Sequence, residues 1–213
     1  MTTMVSLAGH PRDRAELAGR ELVPGGSRFE EALILASRLH AEQARKSVPI
    51  PYIGHLLAVA SLVIEDGGSE DEVVAALLHD AGEDQGGVPT VDMIRERFGP
   101  AVAGIVLGCS DTLELPKPAW RPRKEAYLAH LEEASPQVMR VSTADKLHNA
   151  RAVLRDLRSE GPSVFDRFSA PPEGTLWYFT ALAEVLGRRR PGPLSDELQR
   201  VVATLVDEAG DVS

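Results

Sequence analysis

Residues 70–84 read EDEVVAALLHDAGED, and this stretch decides the fold. The segment from Val73 to Leu78 is apolar on every side of a helix, and a helix that is apolar all round is buried. Ser69 and Glu72 have the spacing of a capping box, which marks a helix start. The sequence therefore predicts a buried helix over 70–81.

This helix runs directly into two potential ligands, His79 and Asp80. At 100° per residue, Asp80 shares a line with Val73, Ala76 and Leu77. A carboxylate on a buried stripe is costly unless it is paired or bound to a metal. The pattern therefore indicates a metal ligand pair at the end of a core helix.

Two more candidate ligands lie on apolar stripes of other predicted helices. His55 lines up with the apolar side chains that follow it, and Asp145 does so with those before it. Asn149 follows Asp145 one turn later on the same face. Two histidines and two aspartates form a mixed nitrogen and oxygen site, which suits Mn²⁺, Fe²⁺ or Zn²⁺.

An acidic pair, Glu83 and Asp84, follows the ligand pair by one helical turn. Side chains at that spacing lie beside the metal without having to bind it. Such carboxylates can hold or deprotonate an attacking water, or protonate a leaving oxygen. We therefore interpret Glu83 and Asp84 as candidate catalytic residues.

The rest of the chain also has helical periodicity and shows no two-residue alternation. We predict an all-α fold in a single domain, with loops over 115–122 and 161–174. The further predicted helices cover 29–45, 55–65, 90–98, 101–109, 121–133, 136–157, 174–189 and 195–209. Residues 1–27 are expected to form a mobile N-terminal extension, 28–190 the domain itself, and 191–213 a C-terminal helix packed on or trailing it.

The net charge of the chain argues against some kinds of binding partner. The chain has 213 residues and a formal net charge of −9, the opposite of what a protein that binds nucleic acid or an anionic membrane shows. No apolar run is long enough to span a membrane, and no secretory signal is visible.

With a single cysteine, Cys109, the chain has no internal disulfide, so we expect a cytoplasmic protein. The sequence gives no indication of the oligomeric state.

The ordered motifs resemble those of the HD-domain phosphohydrolases. Within that family the likeness is to the RelA/SpoT-type hydrolase domain, and most of all to the stand-alone small alarmone hydrolases, including the animal SpoT homologue. The motifs that carry the resemblance are Ala44-Arg45-Lys46, Pro51-Tyr52-Ile53-Gly54-His55, Ala75-Ala76-Leu77-Leu78-His79-Asp80 with Glu83-Asp84, Phe98-Gly99, Ser110-Asp111 and Ala144-Asp145-Lys146-Leu147-His148-Asn149.

The resemblance implies an HD-domain helical bundle that hydrolyses the 3′-pyrophosphate of a guanosine alarmone, releasing pyrophosphate and GDP or GTP. It implies that one Mn²⁺ is the cofactor and that Glu83 and Asp84 are the acid and base. The implied metal ligands are His55, His79, Asp80 and Asp145. The implied substrate-binding residues are Arg45, Lys46, Asn149 and Tyr178.

Three departures from the family pattern leave the substrate open. Leu56 follows the first metal histidine in place of proline, Gln85 follows the acidic pair in place of threonine, and Ser142-Thr143 replaces a lysine and leucine. The first alternative is a metal-dependent nucleotide phosphomonoesterase that acts on NADPH, or a hydrolase of adenosine alarmones. The second alternative is a non-catalytic nucleotide-sensing module. All three hypotheses expect a small anionic nucleotide as the partner.

Overall fold

The computed structural model describes residues 26–46, 48–114 and 116–210, and this part of the chain contains helices but no strand. The predicted all-α fold is confirmed. The helices are α1 (Ser27–Leu39), α2 (Ile53–Glu65), α3 (Glu70–Leu78), α4 (Ala81–Asp84), α5 (Val88–Phe98), α6 (Pro100–Cys109), α7 (Trp120–Glu133), α8 (Pro136–Glu160), a 3₁₀ helix (Gly161–Arg167), α9 (Pro172–Arg189) and α10 (Pro193–Gly210).

Helix α3 is the centre of the core, as its apolar run predicts. Every residue from Val73 to Leu78 has no exposed surface, and α1, α2, α6 and α8 all pack against this helix. The capping box is formed, because the Ser69 backbone N–H donates to Glu72 at 2.7 Å and the Glu72 N–H donates to the Ser69 hydroxyl at 3.4 Å. A central helix with a fixed start holds the residues at its C-terminal end in a fixed position.

Helix α8 is the second element that positions the site. Its start is fixed by Pro136 in the first turn and by the Ser135 hydroxyl, which accepts from the Val138 N–H at 3.3 Å. The helix packs against α2, α3, α6, α9 and α10, and it continues to Glu160, beyond the predicted end at residue 157. Asp145 lies near its middle on the buried side.

The predicted first helix, 29–45, is wrong at its C-terminal end. Helix α1 ends at Leu39, and the chain then reverses through an antiparallel bridge between Ala44 and Pro51. The Tyr52 N–H donates to the Gln43 carbonyl at 2.9 Å across this reversal. Pro49 and Pro51 lack N–H donors and break helical continuity, so the backbone pairs across the turn instead. The reversal brings Gln43 to Asp84 at the end of α4 and Arg45 to Asn149 on α8.

The predicted helix over 70–81 is also wrong at its end. Helix α3 stops at Leu78, and His79 and Asp80 form a turn before the short helix α4. The predicted 161–174 loop begins with a 3₁₀ helix, and α7 starts at Trp120 within the predicted 115–122 loop.

The two ends of the chain are described to different extents. The expected extension, 1–27, lies outside the described residues except for Gly26 and Ser27, where α1 begins. At the other end, α10 packs on α8 and α9, and Leu198 and Leu205 are completely buried there. Among the described helices, none has an apolar stretch of the length needed to cross a bilayer.

Candidate active site

Four side chains meet where the end of α3 faces α2 and α8. His55 and His79 are almost completely buried, and the Nε2 atom of each has no hydrogen-bond partner among the described residues. The Asp80 Oδ2 atom lies 3.0 Å from Nε2 of His79 and 3.5 Å from Nε2 of His55. The Asp145 Oδ1 atom lies 3.2 Å from Nε2 of His55 and 3.7 Å from that of His79. The structure thus brings together the four predicted ligands.

The donor set fits a divalent cation. Donor atoms of His55, His79 and Asp80 all lie within 4.8 Å of one another, and Oδ1 of Asp145 adjoins both histidines. The Nδ1 atom of His79 lies 2.8 Å from the Ala76 carbonyl and donates to it, so Nε2 faces the carboxylates and is the ring atom available to a metal. Buried imidazole lone pairs beside two carboxylates are the ligand chemistry of zinc, iron and manganese sites.

The charges of the four side chains depend on one another. Burial raises the pKa of the Asp80 carboxyl, but His79 and His55 outweigh this effect and hold the pKa well below its usual range. For Asp145, Lys146 and the two histidines likewise hold the pKa well below normal despite burial. Both carboxylates are therefore ionised at neutral pH, as metal ligands must be.

A second layer of side chains orients these ligands. The Tyr52 hydroxyl donates to Oδ2 of Asp80 at 2.6 Å. On the other carboxylate, Lys146 donates to Oδ2 and Asn149 donates to Oδ1, at 2.6 and 2.5 Å. Outer contacts of this kind fix ligand orientation in metal sites. Sequence reasoning gave Tyr52 no role of its own, although it stands three residues before His55.

His148 forms a hydrogen bond with His55, one of the two proposed histidine ligands. Its Nδ1 atom lies 2.8 Å from Nδ1 of His55. Burial, His55 and Arg45 lower the pKa of His148 to about 4, so the ring is neutral and its Nδ1 can accept a hydrogen bond from Nδ1 of His55. That hydrogen bond leaves Nε2 of His55 free to face the carboxylates. The contact gives His148 a supporting role behind His55.

The two acidic residues of α4 have different hydrogen-bond partners but share one cation, since the Lys117 ammonium also lies 4.0 Å from Oδ1 of Asp84. The Glu83 carboxylate accepts from the Lys117 ammonium at 2.8 Å and from the Asp111 N–H at 3.2 Å. The Asp84 carboxylate accepts from the Gln43 amide at 2.9 Å. Burial raises the pKa of both carboxyl groups, with further increases from Asp111 on Glu83 and from Asp80 on Asp84. Raised carboxyl pKa values suit groups that exchange protons near neutral pH.

A cavity of about 370 Å³ adjoins the cluster. Tyr52, Lys146 and Asn149 line it and also contact the cluster carboxylates, so the cavity and the cluster are continuous. The lining contains one acidic side chain, Asp156, and seven basic ones. These basic residues are Arg45, Lys46, Arg123, Lys124, Lys146, Arg155 and Arg167.

The predicted substrate-binding residues all line this cavity. Arg45 donates to Oδ1 of Asn149 at 2.9 Å, and its guanidinium lies over the Tyr52 ring. The Lys46 ammonium lies over the Phe168 ring at 5.3 Å, and burial lowers its pKa. The Tyr178 hydroxyl is buried and has no partner among the described residues. A ligand in the cavity could therefore meet two cations and one unsatisfied hydroxyl.

Sequence reasoning missed several residues that hold the acidic pair. Gln43 binds Asp84, Lys117 binds Glu83, and the Asp111 side chain accepts from Arg123 and Lys124. Gln43 stands two positions before Arg45, inside the reversal that the sequence predicted as helix. Its distance from the acidic pair along the chain left no signal that could have paired them.

Comparison with known proteins shows which family has a similar sequence. A family model described as HD domain matches residues 32–176. The Xenopus tropicalis guanosine-3′,5′-bis(diphosphate) 3′-pyrophosphohydrolase MESH1 is 39% identical over 131 residues, which are 60% of this chain and 68% of the relative. The Homo sapiens MESH1 is 38% identical over 128 residues, 59% of this chain and 69% of the relative.

A solved structure has a fold similar to that of this chain. A metazoan orthologue of SpoT that hydrolyses ppGpp aligns with a TM-score of 0.71 and 25% identity. The alignment covers 86% of this chain and 98% of the solved one.

Proposed function

The chain belongs to the HD-domain family, as its motifs predict, and we propose that it hydrolyses the 3′-pyrophosphate of guanosine 3′,5′-bis(diphosphate). The products are GDP and pyrophosphate, or GTP and pyrophosphate from the pentaphosphate. The observation that carries the proposal is the basic cavity continuous with the histidine and aspartate cluster. The relatives that act on this substrate support the choice of nucleotide.

Two of the cavity cations are available to an anionic substrate. Lys124, Lys146, Arg155 and Arg167, like Arg123, all pair with nearby carboxylates. Arg45 and Lys46 have no acidic partner among residues 26–46, 48–114 and 116–210. An unpaired cation in a partly buried cavity gains most from a phosphate, because no existing ion pair has to be broken. We therefore assign substrate phosphate binding to Arg45 and Lys46.

We propose Mn²⁺ as the ion, held by His55, His79, Asp80 and Asp145. A divalent cation there supplies Lewis-acid charge to a phosphoryl oxygen and lowers the pKa of water. The mixed nitrogen and oxygen donors support manganese over a metal that prefers thiolates. We also propose a cytoplasmic location, supported by Cys109, a buried free thiol in a chain without a second cysteine.

The proposed reaction adds water to the phosphorus that is bonded to the 3′ oxygen. The bond from that phosphorus to the 3′ oxygen breaks, pyrophosphate leaves, and the 3′ oxygen takes up a proton. Glu83 and Asp84 are the proposed acid and base, because their raised pKa values let one carboxyl accept the water proton and the other donate to the leaving oxygen. Asn149 and Tyr178 are proposed to position the nucleotide.

The direct test is turnover of guanosine 3′,5′-bis(diphosphate) with Mn²⁺, with separate measurement of pyrophosphate and orthophosphate. We expect pyrophosphate and GDP, and loss of activity when the metal is removed with a chelator. Asp84→Asn should lower kcat by at least about 10²-fold while Mn²⁺ binding stays unchanged, because a general acid or base contributes about 10²- to 10⁴-fold.

Asp207→Asn is the matched control, since Asp207 is exposed on α10. Orthophosphate release from NADPH instead of pyrophosphate release would favour the phosphomonoesterase alternative. Nucleotide binding without any turnover would favour the sensing module. Full activity of the Asp84 variant would contradict the role given to that residue.

A further inference from the structure

We infer that Gln43, Gln85 and His40 form an amide clamp that holds the Asp84 carboxylate in one orientation. The inference rests on the proposed function, in which Asp84 exchanges a proton with water or with the leaving oxygen. None of the three clamp residues is among the proposed ligands, catalytic residues or substrate-binding residues. They are positioning residues, because they act on the reaction through Asp84.

The contacts of Gln43 fix the orientation of its own amide. Its Nε2 donates to Oδ2 of Asp84 at 2.9 Å. Its Oε1 accepts from Nε2 of Gln85 at 2.5 Å and lies 2.7 Å from Nδ1 of His40. If the amide were turned over, the oxygen would face a carboxylate and the NH₂ group would face two donors. The Gln43 donor therefore points at Asp84.

His40 can serve as one of these donors because it is neutral. Burial lowers the pKa of His40, although Gln43, Asp80 and Asp84 oppose that effect. The neutral ring then carries its proton on Nδ1, facing Oε1 of Gln43. Its Nε2 is left without a partner among the described residues, which agrees with this tautomer.

His40 also links the clamp to the metal cluster. Its ring stacks on the ring of Tyr52 with centroids 5.3 Å apart. The Tyr52 hydroxyl in turn donates to Asp80. One buried histidine thus supports both a proposed metal ligand and the Asp84 side chain, so the relative position of the two carboxylates depends on it.

Gln85 reaches the clamp because its backbone is fixed on both sides. The Gln85 N–H donates to the Ala81 carbonyl at 3.0 Å, and the buried Thr90 hydroxyl donates to the Gln85 carbonyl at 2.6 Å. Gln85 is also one of the three places at which the sequence departs from the family pattern. The structure gives that departure a role, since the Gln85 amide donates to Gln43.

The clamp matters because the Asp84 side chain is 29% exposed. A carboxylate at the edge of a site can rotate into solvent unless a neighbour holds it. Displacement of a reacting group by about 1 Å can cost about 10²-fold in rate. We therefore expect the clamp to affect kcat and to leave substrate binding and metal binding unchanged.

The decisive variant is Gln43→Glu, which keeps the shape of the side chain and removes the donor. We expect kcat for guanosine 3′,5′-bis(diphosphate) to fall by about 10²-fold, with KM and the Mn²⁺ dissociation constant within about twofold of wild type. Gln137→Glu is the matched control, because it makes the same chemical change on an exposed residue of α8. A normal kcat, or a raised KM with normal kcat, would overturn the inference.

A second pair of variants tests whether Gln85 acts through Gln43. Gln85→Ala should lower kcat in the wild-type background and should have no further effect in a Gln43→Ala background. Equal losses in the two backgrounds would show that Gln85 acts independently, and the clamp would then be wrong as described.

A crystal structure of Gln43→Glu provides a readout that does not depend on turnover. We expect the Asp84 carboxylate to turn away from its position, while His55, His79 and Asp80 superpose on wild type. An unmoved Asp84 would reject the clamp. An inactive wild-type chain would reject the proposed function instead, so the two failures are distinguishable.

Discussion

Glu83 shows how neighbouring charges set the chemistry of a single carboxyl group. Burial and the nearby Asp111 carboxylate raise its pKa, while the Lys117 ammonium and the Asp111 N–H lower it. The net effect is a raised pKa, so the protonated form persists to higher pH than in an ordinary glutamate. A group in this state can take part in proton transfer near neutral pH. Lys117 limits how far the pKa rises.

Replacing Lys117 should therefore shift the pH dependence of activity. In Lys117→Met the ammonium no longer favours the ionised carboxylate, so the pKa of Glu83 rises further, and the pKa of Asp84, which lies 4.0 Å from the ammonium, rises as well. The limb of the kcat/KM profile that reports Glu83 should move to higher pH, whether Glu83 is the acid or the base. Lys117→Arg, which keeps the charge, should leave the limb close to its wild-type position. A limb that stays in place or moves to lower pH would show that Lys117 does not control Glu83.

At the scale of elements, every predicted helix start lies within two residues of the observed one, whereas the largest errors fall at the helix ends predicted at residues 45, 81 and 157. Local signals mark the starts, such as the capping box at Ser69 and the prolines at positions 100 and 136. The end of α1 at Leu39 depends on a backbone bridge between Ala44 and Pro51, which no periodicity of side chains reveals. Residues 40–45 were consequently predicted as helix.

In the candidate site, too, local sequence patterns were predictive, whereas contacts between different elements were not visible in the sequence. The four proposed ligands were predictable because each polar side chain interrupts an apolar helical stripe. Gln43 and Asp84 are far apart in sequence, and their contact depends on how the reversal after α1 folds back against α4. Contacts between polar side chains of different elements leave no periodic pattern, and so Gln43 and Lys117, the partners of the acidic pair, were not predicted.

The turn after α4 provides a test at this scale. Gly86 has a φ of +123°, and a Cβ there would lie 2.7 Å from the Thr90 hydroxyl oxygen. Gly86→Ala should therefore lower the free energy of unfolding by about 1–3 kcal/mol, the usual cost of backbone strain. The disturbance should also weaken the hydrogen bond from Thr90 to Gln85 and lower kcat.

Gly104→Ala is the matched control within α6, where a Cβ would meet nothing within 4 Å. Alanine in a helix is favoured over glycine, so this variant should raise the free energy of unfolding by about 0.5–1 kcal/mol. Chemical denaturation of both variants measures the two effects. A Gly86 variant as stable as wild type would show that the turn does not need glycine.

At the scale of the whole molecule, charge is distributed unevenly. The chain carries a formal net charge of −9, yet the cavity lining has seven basic side chains and one acidic one. The overall field repels a highly anionic nucleotide, so attraction has to come from the cavity itself. A concave site lined by one sign of charge concentrates the field locally. The family resemblance places Arg45 and Lys46 at the substrate, and the structure adds five more basic residues to the cavity lining.

Charge reversal at two places distinguishes the effect of the local field in the cavity on KM from the effect of the net charge of the protein. Arg45→Glu with Lys46→Glu should raise KM by at least about tenfold, because unpaired cavity cations become anions facing the substrate phosphates. Arg188→Glu with Arg189→Glu changes the net charge equally on the exposed end of α9 and should change KM by less than about twofold. Arg190 is left out of this control because it binds Asp66 in a half-buried network with Arg140.

Measuring KM at different ionic strengths shows whether long-range repulsion also affects substrate binding. Exposed charges are screened within about 8 Å at physiological salt, whereas partly buried ones are screened much less. The increase in KM at Arg45 and Lys46 should therefore persist when kinetics are measured at high salt, and any small effect at Arg188 and Arg189 should disappear. Equal effects at the two places would mean that the net charge controls substrate capture, and the cavity would then have no special electrostatic role.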